Sequence, residues 1–326
     1  MMKERHLPTL PGITFRSGRG AEDADPYVTV MEACRHVDQI DPFSTLESIP
    51  TVEEMAEYLA KLDPQNILVA TAHEHMIAFV RVRWWEEGDG TWLYLHVGRV
   101  LPEWRGRGLG TALVHWAEQR LRTLATGHPT HGKGTFGANA SSTETPATEL
   151  LLNEGYTVYY TSAQMEWTDF AHLQTPGLPE CFALRSAIPE QYRLIWEAAR
   201  RHWAGFTKAN NVPTEEDYQE FLSLISPDPE LLKVVWHNEQ PIAIVQGSIA
   251  HGIGIIDDVI VSSAYKRRGL AEALLTYEMI TMRARGVQRI RLHTDASNRH
   301  GARSLYEKLG FGVIKTFPRY RKPMGG

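Results

Sequence analysis

Arg105-Gly106-Arg107-Gly108-Leu109-Gly110 is the stretch that decides the fold, and Lys266-Arg267-Arg268-Gly269-Leu270-Ala271 is a weaker copy of it. Each stretch follows an apolar segment typical of a strand and precedes a long amphipathic segment typical of a helix. The start of a helix offers unpaired backbone N–H groups and the positive end of the helix dipole, and glycine lets a ligand approach the backbone closely. We therefore predict two phosphate-binding turns, called here the first cradle (residues 105–111) and the second cradle (residues 266–272).

The composition is that of an ordinary globular protein. Of the 326 residues, 43% are hydrophobic and 22% are charged, and the length favours two domains. The formal net charge of −5 argues against nucleic acid as a partner. No apolar run approaches the ~18 residues of a membrane span, and residues 1–6 lack the apolar core of a signal peptide, so we expect no membrane association and a cytoplasmic location. Cys34 and Cys181 have no motif spacing, which argues against a disulfide framework or a cysteine metal cluster.

The chain repeats itself at a long period, which indicates a duplication. Gly108 matches Gly269 at an offset of 161, and Gly155 matches Gly310 at an offset of 155. The repeat predicts the same elements in both halves, followed in each by two closing strands: a strand (12–17; 181–186), two helices (26–36 and 51–61; 189–204 and 213–225), a hairpin (67–73 and 77–86; 231–237 and 241–250), the strand before the cradle (92–100; 253–261), the cradle helix (108–125; 269–285), a strand (134–138; 288–294) and a helix (143–154; 298–309).

This order predicts an α/β architecture with a mixed sheet in each half, because each cradle lies at a strand-to-helix junction. We assign residues 1–170 to an N-terminal domain, 171–180 to a linker and 181–326 to a C-terminal domain.

The first cradle resembles the signature of the GNAT superfamily of acyl-CoA-dependent N-acyltransferases, which is Val-x-Pro and then Arg or Gln-x-x-Gly-x-Gly or Ala. Residues 298–311 resemble a later motif of the same family. The second cradle lacks the proline and has lysine in place of a planar guanidinium. The resemblance spans nearly the whole chain as a tandem pair, a layout similar to that of mycothiol synthases. The matching residues are Val100, Pro102, Arg105, Gly108 and Gly110 in the first half, and Val261, Lys266, Gly269 and Ala271 in the second.

The resemblance implies two tandem GNAT-fold domains and acetyl-CoA or another acyl-CoA as cosubstrate, with no metal. The CoA pyrophosphate would lie on N–H groups of the cradles. The thioester would lie along the preceding strand, where a β-bulge would free N–H groups near Val259 for the developing oxyanion. The residues implied in cofactor binding are Val100, Arg105, Arg107, Gly108, Gly110 and Thr111, and Val259, Val261, Lys266, Arg267, Arg268, Gly269, Ala271 and Asn298.

The resemblance also implies unequal chemistry in the two halves. In many GNAT enzymes a tyrosine on the last helix protonates the leaving CoA thiolate, and Tyr306 matches it. A gapless alignment on Gly155 and Gly310 places Leu151 at the same position of the first half. Leucine cannot donate a proton, so we expect the C-terminal domain to be catalytic. The N-terminal domain is expected to bind CoA without turnover or to be structural.

The general base stays open between three residues, and a base acting through water would also serve. Asp257 and Asp258 lie on the strand that leads to Val261, and the alternation of side chains along a strand lets at most one of them face the site. His293, on the next strand, is suited to proton removal near neutral pH, with a hydrogen-bonded role inside the sheet as its alternative. His96, on the matching strand of the first half, is expected to be structural.

The acceptor pocket is the least defined part of the sequence. An aromatic and acidic cleft would favour a cationic amine, although core packing and a helix first turn also explain these residues. Residues 317–322 are basic and aromatic, and we expect an edge strand with solvated charges there. The candidate pocket residues are Trp196, His202, Trp203, Phe206, Tyr218, Glu215, Glu216 and Asp217.

The sequence thus predicts an acetyl-CoA-dependent N-acetyltransferase in which the amine of a small molecule attacks the thioester directly in the C-terminal domain. Three alternatives stay open: a protein or peptide N-acetyltransferase, a non-catalytic CoA-binding regulatory protein, and turnover in both halves. The tandem repeat could bury the surface that single-domain relatives use for dimerisation, so a monomer is expected.

Overall fold

The computed structural model describes residues 8–128, 134–170, 173, 177–203, 214–225, 227–298 and 301–325, and they form two compact units. Unit 1 comprises Met1–Tyr160 and Phe317–Gly326, and unit 2 comprises Thr161–Thr316. This division differs from the predicted boundaries at 170 and 181. The chain passes from unit 1 to unit 2 within the strand Thr157–Trp167 and returns to unit 1 within the strand Gly312–Pro323. Part of the predicted linker, residues 171, 172 and 174–176, lies outside the described residues.

Unit 1 is a mixed sheet with helices on both faces. The sheet order is β1-β2-β3-β4-β5, and residues 319–323 of the last strand of the chain pair with β5. Helices α1 and α2 cover one face, and α3 and α4 cover the other. Its elements are β1 (Thr14–Ser17), α1 (Ala24–Arg35), α2 (Val52–Ala60), β2 (Ile67–Ala72), β3 (His75–Glu86), β4 (Trp92–Val100), α3 (Leu109–Ala125), β5 (Gly134–Asn139) and α4 (Thr145–Asn153).

Unit 2 repeats this arrangement. Its sheet order is β6-β11-β10-β9-β8-β7, with α5 and α6 on one face and α7 and α8 on the other. Its elements are the end of β6 (Thr157–Trp167), β7 (Ala183–Ser186), α5 (Tyr192–Trp203), α6 (Glu215–Ile225), β8 (Leu232–His237), β9 (Gln240–Ala250), β10 (Ile253–Val261), α7 (Leu270–Ala284), β11 (Arg289–Asp295), α8 (Ala302–Lys308) and the start of β12 (Gly312–Pro323).

Each unit is completed by a strand from the other half of the repeat. Residues 162–167 of β6 pair with β11 in unit 2, and residues 319–323 of β12 pair with β5 in unit 1. Where the sequence predicted two closing strands, each half has one continuous strand among the described residues. Residues 157–167 contain neither glycine nor proline, so nothing in them interrupts an extended conformation.

The charges of β12 are not solvated as the sequence predicted. Phe317 and Tyr320 are buried. Lys322 Nζ lies 2.7 Å from Glu118 Oε1, and Arg321 is ion-paired with Glu87 at 2.5 Å. The basic residues of this strand therefore balance buried and partly buried carboxylates of unit 1, which is why the strand can pack inside the unit.

The two cradle helices pack through rows of residues spaced four apart. In α3 the row is Leu109, Leu113, Ala117 and Leu121, all buried. In α7 it is Leu270, Leu274, Glu278 and Met282, also buried. Residues at this spacing share one helix face, which explains why these segments form helices against the sheet. Among the described residues, no helix is both long enough and apolar enough to cross a bilayer.

Glu278 is the charged residue in the buried row of α7. Within the described ranges neither carboxyl oxygen has a hydrogen-bond partner, and Oε1 would be 2.6 Å from a Cβ atom at Gly247 on the sheet above it. Desolvation raises the pKa of Glu278 to about 8, so this group is mostly a neutral acid at pH 7.

The raised pKa of Glu278 predicts a stability that falls with pH. Below pH ~4 Glu278 is protonated in both folded and unfolded chains, so its ionisation does not affect the free energy of unfolding. Above that pH the unfolded chain ionises first, and the loss of stability grows until about pH 8. We expect Glu278→Gln to leave the free energy of unfolding unchanged at pH 4 and to raise it at pH 8.5, by up to about 4 kcal/mol. Chemical denaturation across this range measures the effect.

Glu118→Gln is the matched control, because Glu118 is also buried on a cradle helix but is ion-paired with Lys322. It should destabilise the protein at neutral pH. A Glu278→Gln variant as pH-dependent as wild type would contradict the assignment.

Candidate active site

Both cradles begin their helices in the same way. Gly108 and Gly269 hold the N-cap positions of α3 and α7 with φ of 78° and 77°, a region that residues with a Cβ rarely adopt. No side chain of the N-cap bonds the first turn, so its N–H groups point outward for a ligand. Two residues earlier, Gly106 has φ of 73°, but Arg267 has φ of 62°. The second cradle therefore carries about 1–2 kcal/mol of backbone strain that the first avoids.

Arg105, the first residue of the signature, is engaged inside unit 1. Its guanidinium makes two bonds to Asp38, at 2.7 and 2.8 Å, and Nε donates to the Val100 carbonyl at 3.1 Å. Asp38 is buried. The side chain thus links the cradle to the end of β4 and to the segment after α1. Residue 105 can then contact a phosphate through its backbone and not through its guanidinium.

The other basic residues of the cradles lie at the surface. Arg107 is exposed and its Cζ lies 4.9 Å from the centre of the Trp104 ring. Lys266, Arg267 and Arg268 are exposed in the second cradle. These four side chains are placed to add positive charge around the helix starts, as the sequence predicts for a phosphate site.

A cleft of about 340 Å³ opens beside the first cradle. It is bounded by the cradle, β4, the end of β5 and α4. His96 and Leu151 also line it. Gly110 leaves room in the cleft next to α4, since a Cβ atom at residue 110 would lie 2.9 Å from Leu150 Cδ2. Its lining includes five predicted cofactor residues: Val100, Arg105, Gly108, Gly110 and Thr111.

The second cradle differs at the matching positions. Glu272 stands where the first half has Thr111, and Lys308 stands where it has Asn153. Lys308 Nζ lies 2.6 Å from Glu272 Oε2. A carboxylate in the first turn would repel a phosphate, and this ion pair balances the negative charge of Glu272.

In both units two parallel strands separate next to the cradle. Pairing of β4 with β5 ends at His96 and Ala138, and pairing of β10 with β11 ends at Ile256 and Leu292. Beyond these pairs, the N–H groups of β4 and β10 that point toward the neighbouring strand have no partner on it. We call each opening a fork. A fork of this kind can accept an extended ligand between its arms.

A β-bulge distinguishes the fork of unit 2. The register of β9 with β10 shifts between Ile256 and Asp258, whereas β3 and β4 keep one unbroken register. The predicted bulge is thus present in the second half and absent from β4. Asp257 is the extra residue, and an extra residue interrupts the alternation of side chains.

The bulge places both aspartates on one face, contrary to the expectation that at most one could face the site. Asp258 shares its face with Ile260, which packs against α5 and α6, whereas Val259 packs on the α7–α8 side. Asp257 is hydrogen-bonded to the Ser248 side chain. Ser248 follows Gly247 in β9, and a Cβ atom at Gly247 would point at Met282 on the α7–α8 side. Ser248, and Asp257 with it, therefore face the α5–α6 side. Two carboxylates therefore lie on the α5–α6 face at the fork.

Burial gives the two candidate proton carriers very different pKa values. Desolvation and the neighbouring Asp257 raise the pKa of Asp258 to about 6. Desolvation and the charge of Asp258 raise the pKa of Tyr306 to about 12. At neutral pH Asp258 is mostly a base and Tyr306 stays an acid, and the negative charge of Asp258 helps to keep the Tyr306 hydroxyl protonated. Desolvation also raises the pKa of Asp257, opposed by its Ser248 bond.

His293 lies on the other arm of the same fork. It follows Leu292, and its register partner on β6 is Gln164. Leu292 and Met165 pack toward α7, so His293 and Gln164 face the α5–α6 side, with the aspartates. Gln164 is buried, and its Oε1 has no hydrogen-bond partner in the part of the chain that the structure describes. Sequence reasoning missed Gln164 because it precedes the predicted linker and gave no sign of joining the second half.

Several other predicted residues have structural contacts. Asn298 Nδ2 bonds Ser304 Oγ at 2.6 Å, which ties it to the start of α8. Val259 and Val261 pack on the α7–α8 side and continue the pairing with β9. Ala271 occupies the position of Gly110 on the cradle helix.

The predicted aromatic and acidic acceptor cleft is not formed by the described side chains. Trp196 is buried. Glu215 is ion-paired with Arg193 at 2.7 Å, and Asp217 accepts hydrogen bonds from Thr214 at the start of α6. Helix packing and the helix first turn account for them. The side chains of His202 and Trp203, and Phe206 as a whole, lie outside the described residues.

Comparison with known families agrees with this geometry. The Acetyltransferase (GNAT) family model matches residues 33–130 and again residues 191–311, together about two thirds of the chain. The chain belongs to the GNAT acetyltransferase family. The family is one of acyl-CoA-dependent N-acetyltransferases, and the predicted tandem fold is confirmed. Acetyl-CoA is the acyl donor of this family.

The relatives of known function share just over a quarter of the aligned residues with this chain. A mycothiol acetyltransferase of Streptomyces scabiei is 28% identical over 220 residues, which are 66% of each chain. One of Arthrobacter sp. is 28% identical over 241 residues, 69% of this GNAT chain and 68% of that protein. The match to the S. scabiei enzyme thus spans just under two thirds of its length.

Solved structures resemble the whole chain. A GCN5-related N-acetyltransferase from Sphaerobacter thermophilus is 25% identical, covers 98% of both chains and has a TM-score of 0.79. A tandem GNAT protein from the clavulanic acid biosynthesis pathway covers 96% of this chain and 99% of its own, with a TM-score of 0.66 and 13% identity. The latter likeness concerns the fold alone.

The contacts of Arg105 predict that this signature residue supports stability. Arg105→Gln leaves the Asp38 carboxylate buried without its partner, and we expect a loss of about 3–5 kcal/mol in the free energy of unfolding. Arg107→Gln, two residues away and exposed, should change it by less than about 0.5 kcal/mol. Chemical denaturation of both variants tests this, and equal effects would refute the structural role of Arg105.

Proposed function

We propose that the protein transfers the acetyl group of acetyl-CoA to the amine of a small molecule, and that the reaction takes place at the fork of unit 2. The observation that carries this proposal is the pairing of Asp258 and Tyr306. Their pKa values lie on opposite sides of neutrality, and a fork with unpartnered N–H groups adjoins them. A base, an acid and an oxyanion site are what acyl transfer to an ammonium requires.

Each residue then has one task. The acceptor arrives as an ammonium ion, and Asp258 takes one proton so that nitrogen gains a lone pair. The nitrogen attacks the thioester carbonyl, and N–H groups of β10 near Val259 and Val261 stabilise the oxyanion. As the C–S bond breaks, Tyr306 gives its proton to the CoA sulfur. The second proton of the nitrogen then returns through water to the Tyr306 oxygen, and Asp258 releases its proton to solvent, so the products are a neutral amide and free CoA thiol. Asp257 lies beside Asp258 on β10, and His293 lies on β11, the other arm of the fork. Both can hold the ammonium.

Unit 1 has the better cradle but lacks these groups. Leu151 replaces the tyrosine, and β4 has no bulge and places Val97 and Arg99 at the corresponding stretch. Arg99 is paired with Glu144 at 2.7 Å. A positive charge and no proton donor do not favour acyl transfer to an ammonium. We therefore propose that unit 1 binds CoA without turnover.

A small-molecule acceptor is the class to test first. The relatives of known function are named for mycothiol, a small molecule. The carboxylates of Asp257 and Asp258 suit a cationic amine. A panel of small amines, compared with peptides bearing a free N terminus, separates the two acceptor classes by release of CoA thiol.

Removal of the Tyr306 hydroxyl should slow the chemical step. We expect Tyr306→Phe to lower kcat by about 100-fold or more, with little change in the KM for acetyl-CoA. Tyr320→Phe is the matched control, because it removes a buried tyrosine hydroxyl in unit 1 and should leave kcat unchanged. Unaltered turnover in Tyr306→Phe would remove this residue from the mechanism.

The pKa of Asp258 predicts the acid limb of the pH profile. Protonation of Asp258 removes the base, so kcat/KM should fall tenfold per pH unit below about pH 6. Asp258→Asn should lose most activity together with this limb, whereas Asp257→Asn should keep a limb moved to lower pH, since a like charge is removed. If Asp257→Asn abolished the limb and Asp258→Asn kept it, the two roles would be exchanged.

A further inference from the structure

A chain of buried polar groups runs through unit 1 to the cleft. Lys322 Nζ is 2.7 Å from Glu118 Oε1, the Tyr156 hydroxyl donates to the same oxygen at 3.1 Å, and His96 Nε2 lies 2.9 Å from the Tyr156 oxygen. Glu118, Tyr156 and His96 are all buried, and His96 lines the cleft. Buried polar groups cost stability unless all of them are paired. This series of buried polar groups is therefore a candidate for a functional role.

The chain of contacts fixes the tautomer of His96. Glu118 is ion-paired with Lys322 and Arg122, so as a carboxylate it only accepts. The single Tyr156 proton therefore goes to Glu118, and the Tyr156 oxygen must accept from His96 Nε2–H. Burial lowers the pKa of His96 to about 4, which keeps the ring neutral. Nδ1 then carries a lone pair, and among the described residues it has no partner and is not sealed from solvent.

Unit 2 has no counterpart of this chain. Phe311 stands at the position of Tyr156, and Met279 stands at the position of Glu118. Both are buried in the apolar core of unit 2. The polar groups are thus a property of the unit that lacks the catalytic tyrosine.

The pantetheine arm of CoA would run toward His96. Twelve atoms link the pyrophosphate to the sulfur in this arm, as many as in the backbone of four extended residues, roughly 14 Å. His96 lies four residues before Val100, the end of β4 beside the cradle, and it forms the last pair before the fork. It lines the same cleft as Gly108 and Thr111 of the cradle. A CoA with its pyrophosphate on the first cradle and its arm along β4 would therefore have its sulfur in the cleft that His96 lines.

We propose that unit 1 is a site for free CoA, the reaction product, and that His96 selects the thiol over the thioester. This rests on the proposed binding of CoA by unit 1. The S–H of CoA donates a hydrogen bond to the Nδ1 lone pair. Acetyl-CoA offers no donor there, and its carbonyl oxygen would face a second acceptor. The occupancy of unit 1 would thus follow the ratio of product to substrate.

Titration calorimetry on Gly269→Glu tests the selection, because the carboxylate at the second cradle repels CoA there and leaves unit 1 to be measured. Gly269 has open space around its Cβ position, so the side chain itself meets no atom, and at its φ of 77° a residue with a Cβ adds backbone strain to the cradle. We expect CoA to bind about five- to tenfold more tightly than acetyl-CoA. S-ethyl-CoA, which has the bulk of the acetyl thioester but neither donor nor carbonyl, should bind more weakly than CoA.

Two substitutions of His96 separate recognition from structure. His96→Gln keeps a donor for Tyr156 but has no acceptor at the Nδ1 position, so CoA and acetyl-CoA should bind equally. His96→Asn keeps an amide oxygen near the Nδ1 position and should restore part of the preference. Tyr156→Phe frees the tautomer of His96 and should reduce the preference without affecting adenosine 3′,5′-bisphosphate, which lacks the pantetheine arm.

Three results would overturn the proposal. Equal binding of CoA and acetyl-CoA to Gly269→Glu, tight binding of S-ethyl-CoA, or an unchanged preference in His96→Gln would each show that His96 does not read the thiol. Absence of any CoA binding in Gly269→Glu would remove the site altogether. Acetyl transfer by the wild-type protein is measured in parallel, so failure at unit 1 is distinct from failure of the reaction proposed for unit 2.

Discussion

The separation of two parallel strands is the constraint on which the site depends. Backbone N–H and C=O groups inside a sheet need partners, and ending the pairing at His96 and Ala138, or at Ile256 and Leu292, leaves groups that a ligand must satisfy. A cradle lies beside each fork, where its N–H groups can hold one end of such a ligand. The fork therefore offers a place for an extended cosubstrate, and it does so with backbone atoms that both halves share.

The two halves diverge in the side chains that surround this shared backbone. Unit 2 inserts Asp257 as a bulge and brings two carboxylates to one face, with Tyr306 behind them. Unit 1 keeps a regular strand and places His96 at its fork instead. One inserted residue thus accounts for much of the chemical difference, because it changes the direction of the side chains next to it.

Much of the fold could be predicted from the sequence, because its signals are local. Gly108 and Gly269 mark the helix starts through a backbone conformation that favours glycine, and apolar residues four apart mark the helix faces. The site was less predictable. The strand rule that separated Asp257 from Asp258 failed at a bulge, the guanidinium of Arg105 is taken by Asp38 far along the chain, and Gln164 joins its unit only through long-range pairing.

The exchange of closing strands has a consequence for biosynthesis. Unit 2 ends at Thr316, so all of its strands can pair once that residue has left the ribosome. Unit 1 begins first along the chain, yet its sheet lacks residues 319–323 and its Glu118 lacks Lys322 until these residues have been synthesised. The order of completion is thus the reverse of the order of translation, because all of unit 2 is made before the first-made half can close.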